Sequence, residues 1–359
     1  MLKFIAKRLM YGVLVMLGVI TVIFLLFNVL PGDPARMMLG QRADSISIAA
    51  INKDLGRDKP MMTQYFMYLN DLSPISWHNT KDENSAVFLD STKYGSPWKI
   101  NLGSQHALVF KAPYLRRSYQ TKRRVTELIK ETMPETFALA FASMLLASVL
   151  GIGFGIIAAI RKNSWFDRIS FVAAIIGMSG PSFFIGLLLM LLFGFILSDY
   201  TGLKVVGSLY MVDEYTGKEV LQLKNLILPA ITLGLRPWAI VLQLTRSSLL
   251  EVMSQDYIRT AKAKGLSYYK IIFKHAMKNA LNPVITSISG WLAALMAGAV
   301  LVERVFDWKG IGSAVVEALD NYDLPVVMGS TLVFATIFIV VNMLVDIIYG
   351  ILDPRVRIQ

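Results

Sequence analysis

Hydrophobic positions along this chain gather into long runs with almost no charge. They do not show the short amphipathic periods of a water-soluble fold. Such runs extend from about Leu9 to Leu30, Phe137 to Ile160, Ile169 to Leu197, Leu226 to Leu250, Pro283 to Val302 and Pro325 to Ile348. Roughly 20 apolar residues of helix cross a bilayer core, so the pattern predicts about six transmembrane helices and an all-α membrane protein. The third run carries Ser179-Gly180-Pro181 in its middle. Proline there removes a backbone hydrogen bond, which predicts a kink that neighbouring helices tolerate. In the second run Gly151 and Gly155 share one helix face and predict close helix packing. Residues 31–133 have mixed polarity, hold Trp77 and Trp98, and contain no span-length run. They read as one extramembrane domain or structured loop inserted after the first helix. The chain divides into a first helix at 1–30, this insertion, and a five-helix core at 134–359.

Composition agrees: 55% of the 359 residues are hydrophobic and 17% are charged, against roughly 25% charged in an average soluble domain. The net charge of +11 has two readings, nucleic-acid binding and cytoplasmic-loop bias, and its distribution favours the second. Arg161, Lys162 and Arg168 are opposed only by Asp167. Between Arg246 and Lys278, seven cations face only Glu251 and Asp256. Segments 198–225 and 303–323 carry no positive excess. Short cytoplasmic loops collect Lys and Arg, so both termini are expected inside and 31–133 outside, with no nucleic-acid partner. The first run also resembles a signal peptide, but it is long for an h-region and no small-residue cleavage site follows. Pro31-Gly32-Asp33-Pro34 ends it instead.

Candidate chemistry is sparse. There is no cysteine, and His78, His106 and His275 have no metal-ligand spacing. No paired aspartates, Ser–His set or His–Glu metal motif lies in the spans, which speaks against a membrane-embedded enzyme. A secondary transporter calls for intramembrane acids, and only Asp346 and Glu303 approach that description. No GxxxxGK[ST] string is present, so the chain has no P-loop with which to hydrolyse ATP.

Segment 251–281 stands apart. It is too polar to span, yet Tyr257, Ile258, Ala261 and Leu266 recur at helical spacing, as do Ile271, Ile272, His275 and Ala276. Gly265 sits between the two stretches, where helix ends favour glycine. A helix, a glycine turn and a second helix follow. From the pattern alone this could be a docking element or an amphipathic helix on anionic lipid.

Ala261 and Gly265 keep the spacing of the EAA loop of binding-protein-dependent ABC importer permeases. The string YIRTAKAKGL at 257–266 followed by HAMKNAL at 275–281 resembles the dipeptide/oligopeptide/nickel branch. RLMYGVLVMLGVITVIFLLFNVLPGDPA at the start resembles it too, with LGRDKP at 55–60 and LPAITLGL at 228–235. TRSSLLEVM at 245–253, AGAVLVERVFDWKGIG at 297–312 and VNMLVDIIYGILDPR at 341–355 extend the likeness over nearly the whole chain apart from about 73–110. Arg259 and Thr260 stand where the general motif begins with glutamate and alanine, and its terminal Leu-Pro is absent, as is usual in this branch. Lys309 replaces a frequent proline, and the external region is longer than typical.

The resemblance implies a type I ABC importer permease in the bacterial inner membrane. Its partners would be a second permease, two ATPase subunits carrying ATP and Mg, an extracytoplasmic solute-binding protein and membrane lipid. The chain itself would need no cofactor or metal and would not be an enzyme. Tyr257, Ile258, Arg259, Thr260, Ala261, Ala263, Lys264, Gly265 and His275 would form the ATPase-coupling element, with loop 161–168 nearby. Gly265 is expected to need a positive φ or a close backbone approach, and Ala261 to pack against the ATPase. The solute, a dipeptide, oligopeptide, peptide antibiotic or nickel, is left open. Apart from the resemblance, Arg236 lies about ten residues into the fourth run, where a charge costs about 2.5–3.5 kcal/mol unless it meets a cavity or partner. Gln243 follows on nearly the same face. With Ser179 and Pro181 they are candidates for the substrate path, the alternative being a structural pair with a neighbouring helix.

Overall fold

The computed structural model describes residues 2–29, 52, 56–82, 85–212 and 216–352. The break at Pro31–Pro34 and the basic tail at 353–357 lie outside them. Contacts divide the chain into two compact units, one of Met1–Arg8, Thr132–Ser313 and Ile337–Gln359, the other of Leu9–Glu131 and Ala314–Thr336.

Helices dominate both. Among the described residues four are long and apolar enough to cross a membrane, Ile5–Phe27, Val125–Ile160, Leu223–Met253 and Leu324–Ile347. A further apolar helix pair is broken: Trp165–Ser179 and Ser182–Ile196 meet at 110°. The break falls at Gly180 and Pro181, where the sequence predicts a kink. The run at 283–302 becomes a helix Asn282–Gly298 of 17 residues followed by Val300–Val305. At 1.5 Å per residue it is about 25 Å long, a little under the roughly 30 Å hydrocarbon core. Its 17 residues still fall within the roughly 17–25 that a span requires, so this run remains a crossing candidate beside the others.

In chain order the helices used below are α1 Leu2–Val29, α2 Met61–Leu72, α3 Val125–Ile160, α4 Trp165–Ser179, α5 Ser182–Leu189, α6 Ile227–Met253, α7 Asp256–Ala263, α8 Asn282–Gly298, α9 Val300–Val305, α10 Ile311–Asp320 and α11 Leu324–Leu352. In the first unit α3 seats on α6 through glycine. A Cβ on Gly151 would lie 3.0 Å from the Trp238 carbonyl oxygen, and one on Gly155 would lie 2.8 Å from that of Leu242. The GxxxG pair therefore packs, as its spacing predicts. The core beneath holds Leu139, Ala140, Met144, Val241, Leu295, Val302, Phe306 and Trp308.

One acid organises this unit. Glu303, fully buried, accepts from the Thr136 hydroxyl at 2.6 Å and the Ser313 amide at 3.0 Å. Thr136 accepts in turn from the Ile311 amide at 2.9 Å. The carboxylate thus serves the first turn of α10, whose amides have no partner within the helix. A Cβ at Gly310 would overlap that carboxylate, and one at Gly312 would crowd it. This explains the glycines of the WKGIG string. Beside it, Glu135 accepts from Ser208 Oγ and the Leu209 amide at 2.9 and 3.0 Å, and its carbonyl takes the Trp308 indole N–H at 3.0 Å.

The second unit contains strands that the hydrophobic pattern leaves unassigned. β1 Ile75–Asn79, β2 Trp98–Leu102 and β3 His106–Phe110 form an antiparallel sheet in the order β1-β3-β2. Ser76 and His78 of β1 and Ala107 and Val109 of β3 point to its buried face. His78 is 3.0 Å from Ser76 Oγ and 3.1 Å from the Val87 carbonyl. Burial, then the charge of Lys111, holds its pKa below the usual imidazole value. Asp323, just ahead of α11, accepts from Ser118 Oγ at 2.5 Å and the Tyr119 amide at 2.9 Å.

Candidate coupling surface and transport path

α6 runs through its last turn and, after Ser254 and Gln255, the chain starts α7 at Asp256. α7 ends at Gly265 with φ +74°. The Gly265 amide donates to the Lys262 carbonyl at 2.9 Å, and the Leu266 amide reaches that of Ala261 at 3.4 Å. This paired closure is the Schellman motif, which needs a left-handed residue at that point. Space around a Gly265 Cβ is open, so the requirement is conformational and not one of close approach. A second helical stretch follows through Tyr268–Lys270, a π turn Ile271–Ala276 and Met277–Ala280.

The two stretches share a core. Ile258, Ala261, Ile271, Ile272, Ala276, Met277 and Ala280 bury together with Leu249 of α6 and Ala159 of α3. Asn279 donates to the Tyr257 hydroxyl at 2.9 Å across the pair. Of the coupling residues named from sequence, Ile258 and Ala261 therefore face their own chain, and His275 is half-buried. Tyr257, Arg259, Thr260, Ala263, Lys264 and Gly265 are exposed. The expectation that Ala261 packs on a partner gives way to a different division of labour, in which an apolar back fixes α7 and a polar front is presented.

Loop 161–168 is tied to α6 by an acid that the charge pattern treats only as a minority. Asp167, 4% exposed, takes Arg246 Nε and an Arg246 terminal nitrogen at 2.5 and 2.8 Å, and the Asn163 amide at 2.9 Å. The bidentate fork makes it a directional clamp. Its only signal in sequence is one acid in an otherwise basic loop.

At the end of α4 two of the four path candidates, Arg236 and Gln243, meet the same residue, Met178. Arg236 lies against the Met178 carbonyl at 3.5 Å, and Gln243 lies 3.8 Å from Met178 Sδ. Met178 is followed by Ser179 and, after Gly180, by Pro181, both exposed. Arg236 is exposed too, and the 3.5 Å contact leaves its guanidinium largely uncommitted. Asp346 is ion-paired with Arg8 at 3.0 Å and Glu303 is consumed by α10. The two acids that a coupled secondary transporter could use are thus engaged. Among the described residues no His/Asp/Glu group has metal-binding geometry.

Residues 151–358 match the family model described as the binding-protein-dependent transport system inner membrane component, and residues 1–86 match its N-terminal companion. The chain is 35% identical to the di/tripeptide transport system permease protein of Pseudomonas aeruginosa, over 100% of both chains. It is 33% identical to the dipeptide transport system permease protein of Alkalihalophilus pseudofirmus, over 99% of this chain and 100% of that one. The glutathione transport system permease protein of Pectobacterium atrosepticum is 34% identical over 99% of each. With several helices apolar and long enough to span and a likeness to transport permeases over 99–100% of the chain, this is a multi-pass membrane protein, and the chain belongs to the family of binding-protein-dependent transport system inner membrane components.

Proposed function

We propose that this chain is the membrane-spanning permease subunit of an ATP-driven importer of short peptides, coupled to separate ATPase subunits through 251–281. The observation that carries the coupling is the construction of α7. Its polar front, Tyr257, Arg259, Thr260 and Lys264, stands on a buried back continuous with α6, so a load on the front reaches the membrane helices without local unfolding. ATP and Mg belong to the partner chains, and the chain has no cofactor of its own. A second permease completes the path, and an extracytoplasmic binding protein delivers solute on the side of 31–133. Both termini face the cytoplasm. The 134–359 core with its five helices carries the transport machinery.

Peptides are the solute class because the relatives carry dipeptide, di/tripeptide and glutathione names, and because an uncommitted guanidinium at the α4–α5 break suits a peptide carboxylate. Arg236, Gln243, Ser179 and Pro181 line this path. The decisive experiment pulls down the ATPase with Tyr257→Asp and Gly265→Val variants in proteoliposomes. Valine is strained at a left-handed φ by about 1–2 kcal/mol, which disturbs the turn without touching the spans. Loss of ATPase binding and of uptake, with normal membrane insertion, is expected. Normal binding and uptake in both variants would remove α7 as the coupling element and leave a lipid-surface helix. Arg236→Gln tests the path separately: peptide uptake should fall while ATPase binding persists, and unchanged uptake returns Arg236 to a structural role.

A further inference from the structure

α2 is not part of any span, yet it is packed at membrane depth. Tyr68 and Leu72 are buried with Ile20, Ile23 and Phe24 of α1 and with Met328 and Leu332 of α11. Tyr65 and Thr21 share a hydroxyl hydrogen bond of 2.7 Å, and the Phe24 ring lies 5.1 Å from that of Tyr65. The two spans serve as independent rulers. Thr21 and Phe24 lie six and three residues inside the Phe27 end of the first span, and Met328 and Leu332 lie four and eight residues inside the Leu324 end of the last. At 1.5 Å per residue both place α2 about 5–12 Å below the ends of the spans. A helix lying in the interface sits about 5–10 Å into the headgroup and acyl boundary.

The sides of α2 agree with that depth. Its polar groups are turned to the sheet and its flanking loops: Asn70 exchanges two 2.9 Å bonds with the Trp77 backbone, Gln64 donates to the Lys59 carbonyl, and Asp71 accepts from the Tyr94 hydroxyl at 2.6 Å. Beside the buried stripe, Met62 and Phe66 lie one turn apart, 67% and 61% exposed. The neighbouring surface of α1 is of the same kind, with Val22, Leu25 and Leu26 about half exposed. In water, side chains of this size would forgo about 1.5–3 kcal/mol each relative to burial.

We propose that Met61–Leu72 is an interfacial helix whose Met62–Phe66 edge lies among lipid acyl chains, anchoring the extramembrane module of the second unit to the bilayer surface. The occupant is lipid because the exposed edge continues the apolar surface of a spanning helix at the same depth and carries no polar group for a protein partner to read.

The absence of native cysteine permits site-directed spin labelling of the full chain in proteoliposomes. Labels at Phe66→Cys and Met62→Cys should collide with oxygen in preference to a water-soluble nickel chelate, matching Val22→Cys on α1. Gln64→Cys, on the opposite side of α2 where the side chain meets the Lys59 loop, should show the reverse. Preference for the nickel reagent at 62 and 66 would place the edge in water, and access by neither reagent would place it under protein. Either result overturns the assignment. If Phe66→Cys fails to insert, Met62→Cys carries the measurement alone.

Discussion

Two polar regions of the first unit are built in opposite ways. Around Glu303 every polar group named is satisfied within the chain: Thr136, Ser313 and Ile311 close the set about the buried carboxylate. On α7 the arrangement is inverted. Ile258 and Ala261 are buried, while Tyr257, Arg259, Thr260 and Lys264 face outward, and the one ion pair, Arg259–Asp256 at 3.4 Å, is exposed on both sides. Such a pair contributes little to stability. The contrast separates polarity used for holding the fold from polarity held out for something else, and it assigns different consequences to mutation.

The largest effect belongs to Glu303. Replacement by leucine leaves the Thr136 hydroxyl and the Ser313 amide buried without an acceptor, at about 1–3 kcal/mol each. With the misfit of a branched side chain added, Glu303→Leu should cost about 3–5 kcal/mol, seen as a lower thermal midpoint in detergent or as loss of the inserted protein. Glu303→Gln, which keeps one acceptor oxygen, should recover part of it. Asp167→Asn comes next. It weakens both bonds to Arg246 and should cost about 1–2 kcal/mol, measured the same way. An unchanged midpoint would show that the clamp is no stronger than a surface pair. Tyr257→Asp sharpens the comparison from the other side, with stability unchanged to within about 0.5 kcal/mol while ATPase association is lost.

The smallest effect concerns the sheet. Burial, then the charge of Lys111, lowers the folded pKa of His78 below the unfolded value near 6.5. As pH falls through 6.5 the unfolded chain takes up a proton that the folded chain resists, and stability is lost. It is fully present above about 6.5. Hydrogen exchange of the β1 and β3 amides, corrected for intrinsic rates, should show protection falling from pH 7 to 5. His78→Asn should flatten that dependence.

Legibility in sequence follows the range of the interactions. The turn at Gly265 was readable because its causes are local: helical spacing on both sides and a residue free to take positive φ. The break at Gly180–Pro181 and the Gly151/Gly155 contact were readable for the same reason. Glu303 was not, since its partner Thr136 lies 167 residues away and the acid looks like the end of an apolar run. Asp167 meets Arg246 across 79 residues. The small sheet escaped notice because its strands are short. Ile75-Ser76-Trp77-His78 and Trp98-Lys99-Ile100-Asn101-Leu102 do alternate, but over only five residues each, and in β1 the apolar positions face outward while Ser76 and His78 are buried. The segment at 283–302 was readable as one apolar run, but not its division at Ala299 into α8 and α9.

The glycine seat between α3 and α6 has a mechanical consequence. With carbonyl oxygens of α6 less than one side chain away from Gly151 and Gly155, the two helices have no lubricating layer and cannot slide past each other without a backbone collision. Asp167 and Arg246 bolt α4 to the same beam. Through these contacts α3, α4 and α6 are held as one block, which ends at the 110° bend of Gly180–Pro181.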